Sequence, residues 1–315
     1  MKRVVTIGGG TGQYTLLSGL KEIADLEITA VVTMADSGGS SGVLRTERGA
    51  LPPGDALRCL LALATVEEDV IQLFEHRFAG NGGVGGHRIG NIALTGAAEL
   101  HGGDFLEGLT TLGRMLHPHG RVLPVTIDHV QLHAELHDGT IICGEHGIDR
   151  RGADGHGMIH RVWLEPEACA FPPTVDAILG ADAVIIGPGD LYTSIVPNLL
   201  VGGIASALQK MRGPLVFILN AMTKRGETDG FTAEDFVHVF EQYAQRPVDI
   251  VLGNSRPPAE DIIAKYHEEG ATWVPAPRCT VWDGRTIVAF PLLGQSAFAR
   301  HDPVKLAHVV RALVP

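Results

Sequence analysis

Short apolar runs that stop at glycine alternate with longer segments in which leucines recur at helical spacing. Arg3 to Ile7, RVVTI, is a β-branched run ended by Gly8, which predicts a buried strand. Gly12 to Ala24 has the periodicity of a helix, and Leu26 to Met34 is a second apolar run. A strand, a glycine loop, a helix and a strand in this order predict a βαβ unit with parallel strands.

The same alternation returns in the second half of the chain. Three apolar runs predict further buried strands, at Ala183–Ile186, Leu215–Leu219 and Asp249–Leu252. Three helices are predicted between and after them, at Thr232–Tyr243 with Thr232 as N-cap, at Pro258–His267 and at Pro303–Leu313. We therefore expect an α/β fold, Rossmann-like and doubly wound, with a mostly parallel sheet.

The middle of the chain has a different pattern. Val122–Ile127 and Val130–His137 alternate in polarity like strands, Asp138-Gly139 is a hairpin signal, and Met158–Leu164 is another strand candidate. This predicts a small antiparallel β insert at about residues 120–165 within a single domain over residues 1–315. Earlier helices are expected at Gly54–Thr65 and, capped by Asp104, up to Leu116.

Composition narrows the class of protein. The net charge of −11 disfavours nucleic acid as a partner, and no apolar run is long enough to insert in a membrane. The start, MKRVVTIGGG, does not resemble a signal peptide, so we expect a cytoplasmic protein. The four cysteines contain no CxxC pair, which favours free thiols. A homo-oligomer is compatible with the sequence.

Four strand ends carry loops of small and polar residues: GGGTG (8–12), ADSGGSSG (35–42), GPGDLYTS (187–194) and NAMTKRGETDG (220–230). In an open parallel sheet, ligands bind at the carboxyl edge of the strands. The four loops are therefore predicted to face one crevice, and this convergence is the main functional signal of the sequence.

The first loop suits phosphate, because glycines let backbone N–H groups approach an anion at a helix N-terminus. The dinucleotide fingerprint is incomplete, since its third glycine position holds Gln13, and no Gly-Lys-Ser/Thr follows as in a P-loop. A tight turn without a ligand is the alternative.

Asp36 stands at the end of the second strand, where a carboxylate can bind a ribose hydroxyl or hold Mg²⁺ against a diphosphate. Ser37 and Ser40 add hydroxyls without bulk. Asp55 can supply a second metal ligand and Arg58 an anion contact, although Asp55 equally suits a helix cap and Asp36 a turn.

A rival interpretation is a serine hydrolase, because residues 38–42, GGSSG, match the G-x-S-x-G nucleophile elbow. That motif needs a helix directly after it. We expect GALPPGD to stop any helix beyond Val43–Arg48 within two turns, which argues against the hydrolase.

Histidines mark two further places. His87 and Asn91 lie in GGHRIGN, a glycine loop entering a helix, which again suits phosphate. His129, His133 and His137 would share one face of a strand with Gln131 and Glu135, as a metal site or as a solvated face. The apolar alternation of that segment favours the solvated face.

Taken together, the motifs IGGGTG, VTMADSGGSSGVLR, LPPGDALRCLLALA, GHRIGN, LHAELHDGT, IIGPGDLYTSIVPNLLV and MTKRGETDGFTAEDF resemble the gluconeogenesis-factor family, within the CofD-like superfamily of 2-phospho-L-lactate transferases. The resemblance runs from Val4 to Pro303. It implies metal or hydroxyl contacts from Asp36 and Asp55. It implies nucleotide contacts from Gly9, Gly10, Thr11, Gly12, His87, Asn91, Gly189, Tyr192, Thr193, Ser194, Asn220, Thr223 and Arg300.

The superfamily has two branches with different implied functions. The transferase branch moves a phospholactyl group from a nucleoside diphosphate carrier to a deazaflavin with Mg²⁺. The gluconeogenesis-factor branch is linked to cell shape and envelope growth, and its members are thought to bind UDP-sugars such as UDP-N-acetylglucosamine. The Leu-Tyr-Thr-Ser-Ile run at 191–195 is similar to the second branch. Asp190, where the family usually has Ser, is a departure. GDP and NAD remain alternative ligands.

Overall fold

The structure, a computed structural model, describes residues 1–80, 82–150 and 157–315. Its strands are β1 (Lys2–Gly8), β2 (Leu26–Val32), β3 (Arg121–Pro124), β4 (Gln131–Leu136), β5 (Ile141–Cys143), β6 (Ile159–Glu165), β7 (Ala183–Ile186), β8 (Leu215–Ile218), β9 (Ile250–Asn254), β10 (Val281–Trp282) and β11 (Arg285–Phe290).

The helices occupy most of the intervening segments. They are α1 (Gly10–Leu20), α2 (Gly39–Arg48), α3 (Gly54–Leu63), α4 (Glu68–Glu75), α5 (Ile89–Leu100), α6 (Phe105–Leu116), α7 (Glu145–Arg150), α8 (Pro172–Leu179), α9 (Val196–Leu199), α10 (Ile204–Lys210), α11 (Ala233–Ala244), α12 (Glu260–Glu268) and α13 (Pro303–Leu313), and a π-helical turn spans Leu191–Ile195. Among these described helices, none combines the length and the hydropathy that a membrane crossing requires.

Eight strands form one sheet in the order β10-β11-β9-β8-β7-β1-β2-β3. All neighbouring pairs are parallel except the edge pair of β10 and β11. Every residue of β7 and β8 is 0% exposed, as expected for parallel strands that helices cover on both faces. The α/β class and the mostly parallel sheet are confirmed.

A separate antiparallel sheet has the order β5-β4-β6. Its hairpin turns at Gly139, where φ is +84° and the N–H donates to the Leu136 carbonyl over 2.9 Å. The strand predicted at 122–127 is β3, which pairs in parallel with β2 in the main sheet rather than joining the insert.

Helix starts follow the capping signals of the sequence. The Asp104 carboxylate accepts hydrogen bonds from two backbone N–H groups of α6, and Thr232 forms a capping box with Asp235 at α11. The helix stop predicted at GALPPGD is confirmed, because α2 ends at Arg48, but α2 begins at Gly39, inside the GGSSG motif, rather than at Val43. Gly49, the first residue of GALPPGD, follows α2 in the left-handed region, a common way for a helix to end.

Packing of α1 against α13 requires glycine at position 19. A Cβ there would lie 1.9 Å from the Pro303 carbonyl oxygen, which is backbone and cannot turn away. We therefore expect Gly19→Ala to lower the free energy of unfolding by about 1–3 kcal/mol through overpacking.

Gly113→Ala in α6 is the matched control, since a Cβ at that site meets nothing within 4 Å. It should be neutral or stabilise the protein by up to about 1 kcal/mol through helix propensity. Urea denaturation of both variants checks the pair, and equal stabilities would contradict the packing argument.

Candidate functional site

The strand order reverses between β1 and β7, and the loops after these strands border a crevice at the carboxyl edge of the sheet. Two adjoining cavities occupy it and share Thr11 and Asp190. The four loops predicted from the sequence to converge do contribute residues to these cavities. The crevice is therefore our candidate site.

The first cavity, called here the β8-side cavity, has a volume of about 280 Å³. It is lined by Thr11, Gly12, Thr15, Pro188, Gly189, Asp190, Asn220, Ala221, Met222, Thr223, Lys224, Tyr266, Ala299, Arg300 and His301. Asn220 holds the loop after β7, since its Oδ1 accepts from the Gly189 N–H at 3.1 Å and its Nδ2 donates to the Gly189 carbonyl at 2.8 Å. The Arg300 guanidinium lies 4.9 Å from the centre of the Phe298 ring.

The second cavity, called here the acidic cavity, has a volume of about 240 Å³. It is lined by Gly10, Thr11, Thr33, Asp36, Asp55, Arg58, Glu145, Asp149, Asp190, Thr193 and Ser194. Five carboxylates and one arginine stand in this lining, as far as the described residues show. An anion alone is therefore poorly suited to the cavity, whereas a cation, or an anion together with a cation, is well suited.

The N-terminus of α1 forms the wall between the cavities. Gly10 has a φ of +64°, and its N–H donates to Asp55 Oδ1 over 3.0 Å. The hydroxyl of Thr11 accepts from Arg58 Nη1 at 2.9 Å. The first turn of a helix leaves backbone N–H groups without intrahelical partners, so this wall presents donors and a guanidinium to the crevice.

Two glycines of the first loop are required by close contacts within the protein. A Cβ on Gly12 would lie 1.8 Å from the Pro188 carbonyl oxygen, and one on Gly9 would lie 2.6 Å from Asp55 Oδ2. Gln13 replaces the third fingerprint glycine, and its buried amide donates to Thr6 Oγ1 over 3.0 Å beneath β1. The loop thus differs from the dinucleotide fingerprint because it packs a side chain where that motif has space.

Two acids in the acidic cavity carry strongly perturbed proton affinities. Burial, and then the charge of Asp36, raises the pKa of Asp55 to about 6. Burial, followed by Asp36 and Asp149, raises the pKa of Glu145 to about 8. The positive charge near Asp36 and Asp55 therefore does not balance the negative charge of the carboxylates there.

The two residues predicted to hold a metal, Asp36 and Asp55, both line the acidic cavity. Asp36 uses Oδ1 to accept from the Gly38 N–H at 2.8 Å, and Asp55 uses Oδ1 for Gly10, which leaves the Oδ2 atom of each as a donor. Oxygen donors at an acid-rich wall are those that Mg²⁺ prefers. Bound there, Mg²⁺ would offset the negative charge of the wall toward a phosphate ligand.

A second acid cluster is paired with a lysine. The carboxylates of Asp149, Asp190 and Glu227 approach within 4.8 Å of one another, and Lys224 Nζ lies among them, 2.6 Å from Asp190 Oδ2 and 2.8 Å from Glu227 Oε1. Lys224 also pairs with Asp149. The unusual Asp190 is therefore a partner of Lys224, and the cluster links α7 to the loops after β7 and β8.

The pKa shifts in this cluster follow from burial and pairing. Burial, and then Asp190, raises the pKa of Glu227 to about 7, against the opposing effect of Lys224. Burial alone would lower the pKa of Lys224, but Glu227, Asp190 and Asp149 together raise it. Lys224 is consequently held as a cation.

Other predicted site residues lie outside both cavities. Ser40 Oγ and His87 Nδ1 are 3.0 Å apart, both residues are buried, and neither lines a cavity. Asn91 is buried as well, and its Oδ1 has no hydrogen-bond partner within the described residues. Because α2 begins within the GGSSG motif, the lack of a following helix no longer argues against a serine hydrolase. The burial of Ser40 argues against it instead, because a nucleophile must reach its substrate.

Two more predicted residues support the walls from behind. Ser37 Oγ accepts from the His146 N–H at 3.1 Å, which ties the loop after β2 to α7. Tyr192 is 4% exposed and its N–H donates to Glu227 Oε2 over 3.3 Å. The predicted residues that do line a cavity are Gly10, Thr11, Gly12, Asp36, Asp55, Arg58, Gly189, Thr193, Ser194, Asn220, Thr223 and Arg300.

The charged residues of the insert and of the loop after β8 were missed. Glu145 and Asp149 reach the acidic cavity from α7, and Lys224 lies 75 residues from its partner Asp149. The available signal was the KRGE tetrapeptide at 224–227, which places three charged residues in the loop after β8.

Comparisons with known proteins agree on one family. The family model described as 2-phospho-L-lactate transferase CofD matches residues 4–290. A protein of Halalkalibacterium halodurans named gluconeogenesis factor is 40% identical over 98% of this chain and 95% of its own length. A Bacillus subtilis protein of the same name is 43% identical over 85% of this chain and 84% of its own length. A crystal structure of a Bacillus halodurans protein superposes with a TM-score of 0.91 at 39% identity, covering 98% of this chain and 99% of that one.

Removing the cation of the lysine cluster should destabilise the fold. The side chain of Glu227 is 1% exposed, so Lys224→Met leaves a buried carboxylate beside Asp190 without its partner. We expect a loss of about 3 kcal/mol in unfolding free energy, and Lys224→Met/Glu227→Gln should recover part of it.

Arg48→Met is the matched control, since Arg48 and Glu99 form an exposed pair with side chains 60% and 55% accessible. It should cost less than about 1 kcal/mol. Chemical denaturation at neutral pH measures all three variants, and equal losses for Lys224→Met and Arg48→Met would refute a buried cluster.

The raised pKa of Glu145 predicts a pH dependence of stability. The folded protein binds the proton of Glu145 more tightly than the unfolded chain does. The contribution of Glu145 to the free energy of unfolding therefore falls as pH rises from about 4.5 to about 8. Without divalent cations, Glu145→Gln should be more stable than wild type by about 1–2 kcal/mol near pH 8.5, with a smaller gain near pH 5. The exposed Glu268→Gln is the control, and a wild-type curve parallel to that of Glu145→Gln would count against the assignment.

Proposed function

The chain belongs to the CofD family and matches gluconeogenesis factors over most of its length, and on this premise we propose that it is a nucleotide-sugar-binding regulatory protein. Its ligand is of the UDP-N-acetylglucosamine type. The role proposed for it is the one that the family resemblance implies, a factor linked to cell shape and envelope growth on gluconeogenic carbon.

The observation that carries the proposal is the α1 N-terminus, which stands at the reversal point of the sheet and faces both cavities. Thr11 is common to both linings and is hydrogen-bonded to Arg58. A diphosphate placed against this wall would meet helix N–H donors, a hydroxyl and a guanidinium. The two halves of a nucleotide-sugar would then extend into the cavities on either side.

The acidic side of the crevice calls for a cation in such a complex. A diphosphate beside Asp36 and Asp55 is repelled unless positive charge lies between them. Mg²⁺ held by the free Oδ2 atoms of these aspartates would offset that repulsion. The carboxylates therefore couple ligand affinity to the divalent cation concentration.

The β8-side cavity offers groups suited to a nucleoside. Asn220 and Thr223 are amide and hydroxyl side chains in its wall, and Arg300 carries a charge at its rim. Asn220 is occupied in holding Gly189, so its effect on the ligand is to shape the wall. Base preference then depends on polar atoms of the segments that follow β8 and β11.

A transferase of the phospholactyl type is the second candidate, and it would use the same crevice and the same cation. The family description favours it, while the names of the curated relatives favour a regulatory factor. Prolonged incubation with protein, Mg²⁺ and a deazaflavin acceptor separates the two, because a transferase consumes its nucleoside diphosphate-linked donor whereas a regulatory binder leaves its ligand intact.

Calorimetric titration tests the ligand class. UDP-N-acetylglucosamine, GDP and NAD are compared with and without Mg²⁺, and we expect the UDP-sugar with Mg²⁺ to bind most tightly. Asp36→Ala should weaken that binding by at least about 10-fold and should abolish most of the Mg²⁺ effect. Asp69→Ala, a change on the exposed face of α4, is the control and should bind as wild type. Unchanged affinity in Asp36→Ala would overturn the cation-bridged site, and preference for GDP would favour the transferase.

A further inference from the structure

A thiol, an imidazole and a carboxylate lie side by side on the small antiparallel sheet, and none of the three lines either cavity. Cys143 on β5 is directly opposite His133 on β4, and His133 is directly opposite Trp163 on β6. Residues opposite one another in an antiparallel pair share a face of the sheet. The face of β4 that carries His133 therefore also includes a cysteine. From the sequence, this face could be a metal site or a solvated surface.

The distances arrange the three groups as a chain. Cys143 Sγ is 3.3 Å from His133 Nδ1, within hydrogen-bond reach for sulfur. On the other side of the ring, His133 Nε2 is 3.6 Å from Glu165 Oε2, an ion-pair distance. Each ring nitrogen of His133 thus faces a different partner.

The histidine ring is held in this orientation. It stacks on the indole of Trp163, with ring centres 5.4 Å apart and planes inclined by 22°. The His133 side chain is 14% exposed, so the ring is largely shielded, whereas Cys143 is exposed at the end of β5. The base is therefore fixed while the thiol remains accessible to a reagent.

A metal is a poorer explanation of this cluster. His133 lies between the other two groups and offers them opposite nitrogens, so the sulfur and the carboxylate do not converge on one point. Within the described ranges, the set of side chains that does converge is the Lys224-bound cluster of Asp149, Asp190 and Glu227. The linear arrangement suits proton transfer from the thiol to the ring.

We propose that Cys143 is a reactive thiol that undergoes exchange with low-molecular-mass disulfides, with His133 as its base and Glu165 as the group that stabilises the protonated ring. The thiol proton moves to His133 Nδ1, and the thiolate attacks one sulfur of the disulfide. The S–S bond of the reagent breaks as the new bond to Sγ forms. Cys143 is oxidised to a mixed disulfide, and the leaving thiolate is reduced and takes the proton from His133.

The other cysteines provide internal references. Cys169 and Cys279 are also exposed free thiols, and in the part of the chain that the structure describes neither has an imidazole contact. Cys59 is buried in α3, where burial raises the pKa of its thiol. The proposal therefore predicts an order of modification rates among the cysteines of one protein. Because all of them are measured in the same sample, reagent and protein concentrations are the same for each.

The test is the rate of modification at each cysteine. The native full chain is incubated at neutral pH with oxidised glutathione, and in parallel with dithiodipyridine, and each site is followed by peptide mass spectrometry. We expect Cys143 to react at least about 10-fold faster than Cys279. His133→Phe, which keeps an aromatic ring on Trp163, should bring Cys143 down to the rate of Cys279, and Glu165→Gln should have an intermediate effect.

The rates of Cys169 and Cys279 report whether a variant keeps its fold. If His133→Phe changes the rates of Cys169 and Cys279, two other measurements test the proposal. They are the order of the cysteine rates in the wild type and the Cys143 rate in the exposed Glu165→Gln variant. A Cys143 rate no greater than that of Cys279 in the wild type would overturn the proposal. An undiminished Cys143 rate in a folded His133→Phe protein would do the same.

Discussion

The contact between α1 and the loop after β7 is the constraint on which the crevice depends. Gly12 is so close to the Pro188 carbonyl that a single methyl group would collide with backbone, at 1.8 Å. Asn220 holds the same loop from the opposite side through both backbone groups of Gly189. The helix N-terminus is thereby fixed at the reversal point between β1 and β7, and the two cavities open on either side of it.

Charge distinguishes the two sides of this wall. In the cluster around Lys224, one internal ammonium group pairs with Asp190 and Glu227 and also attaches α7 to the crevice. Within the described residues Asp36 and Asp55 form no ion pair, and the pKa of Asp55 is raised first by burial and then by the charge of Asp36. A diphosphate ligand with a divalent cation would supply the missing balance, which is why the proposed function joins nucleotide binding to metal binding.

Much of the fold was accessible from sequence because its signals are local. Buried parallel strands such as β7 and β8 are short apolar runs bounded by loop residues, and the caps at Asp104 and Thr232 act within one helical turn. The start of α2 was missed because glycine and serine are weak helix formers, and the contacts of the folded chain override that preference.

The site was predicted less completely because its contacts join distant residues. The carboxyl edge and its loops follow from the βαβ pattern, and Asp36, Asp55 and Arg58 do face one cavity. The close approach that requires Gly12 and the pairing of Lys224 with Asp149 depend on tertiary structure. Ser40 and His87 are adjacent although 47 residues apart, and their burial could not be foreseen from either motif.

A crystal structure of the protein grown with UDP-N-acetylglucosamine and Mn²⁺ tests the central claim most directly. Anomalous scattering locates Mn²⁺ independently of the interpretation of the ligand. The account predicts a manganese peak bound by Asp36 and Asp55, with the diphosphate against the N-terminus of α1. A nucleotide bound elsewhere, or manganese that displaces Lys224 among Asp149, Asp190 and Glu227, would contradict it.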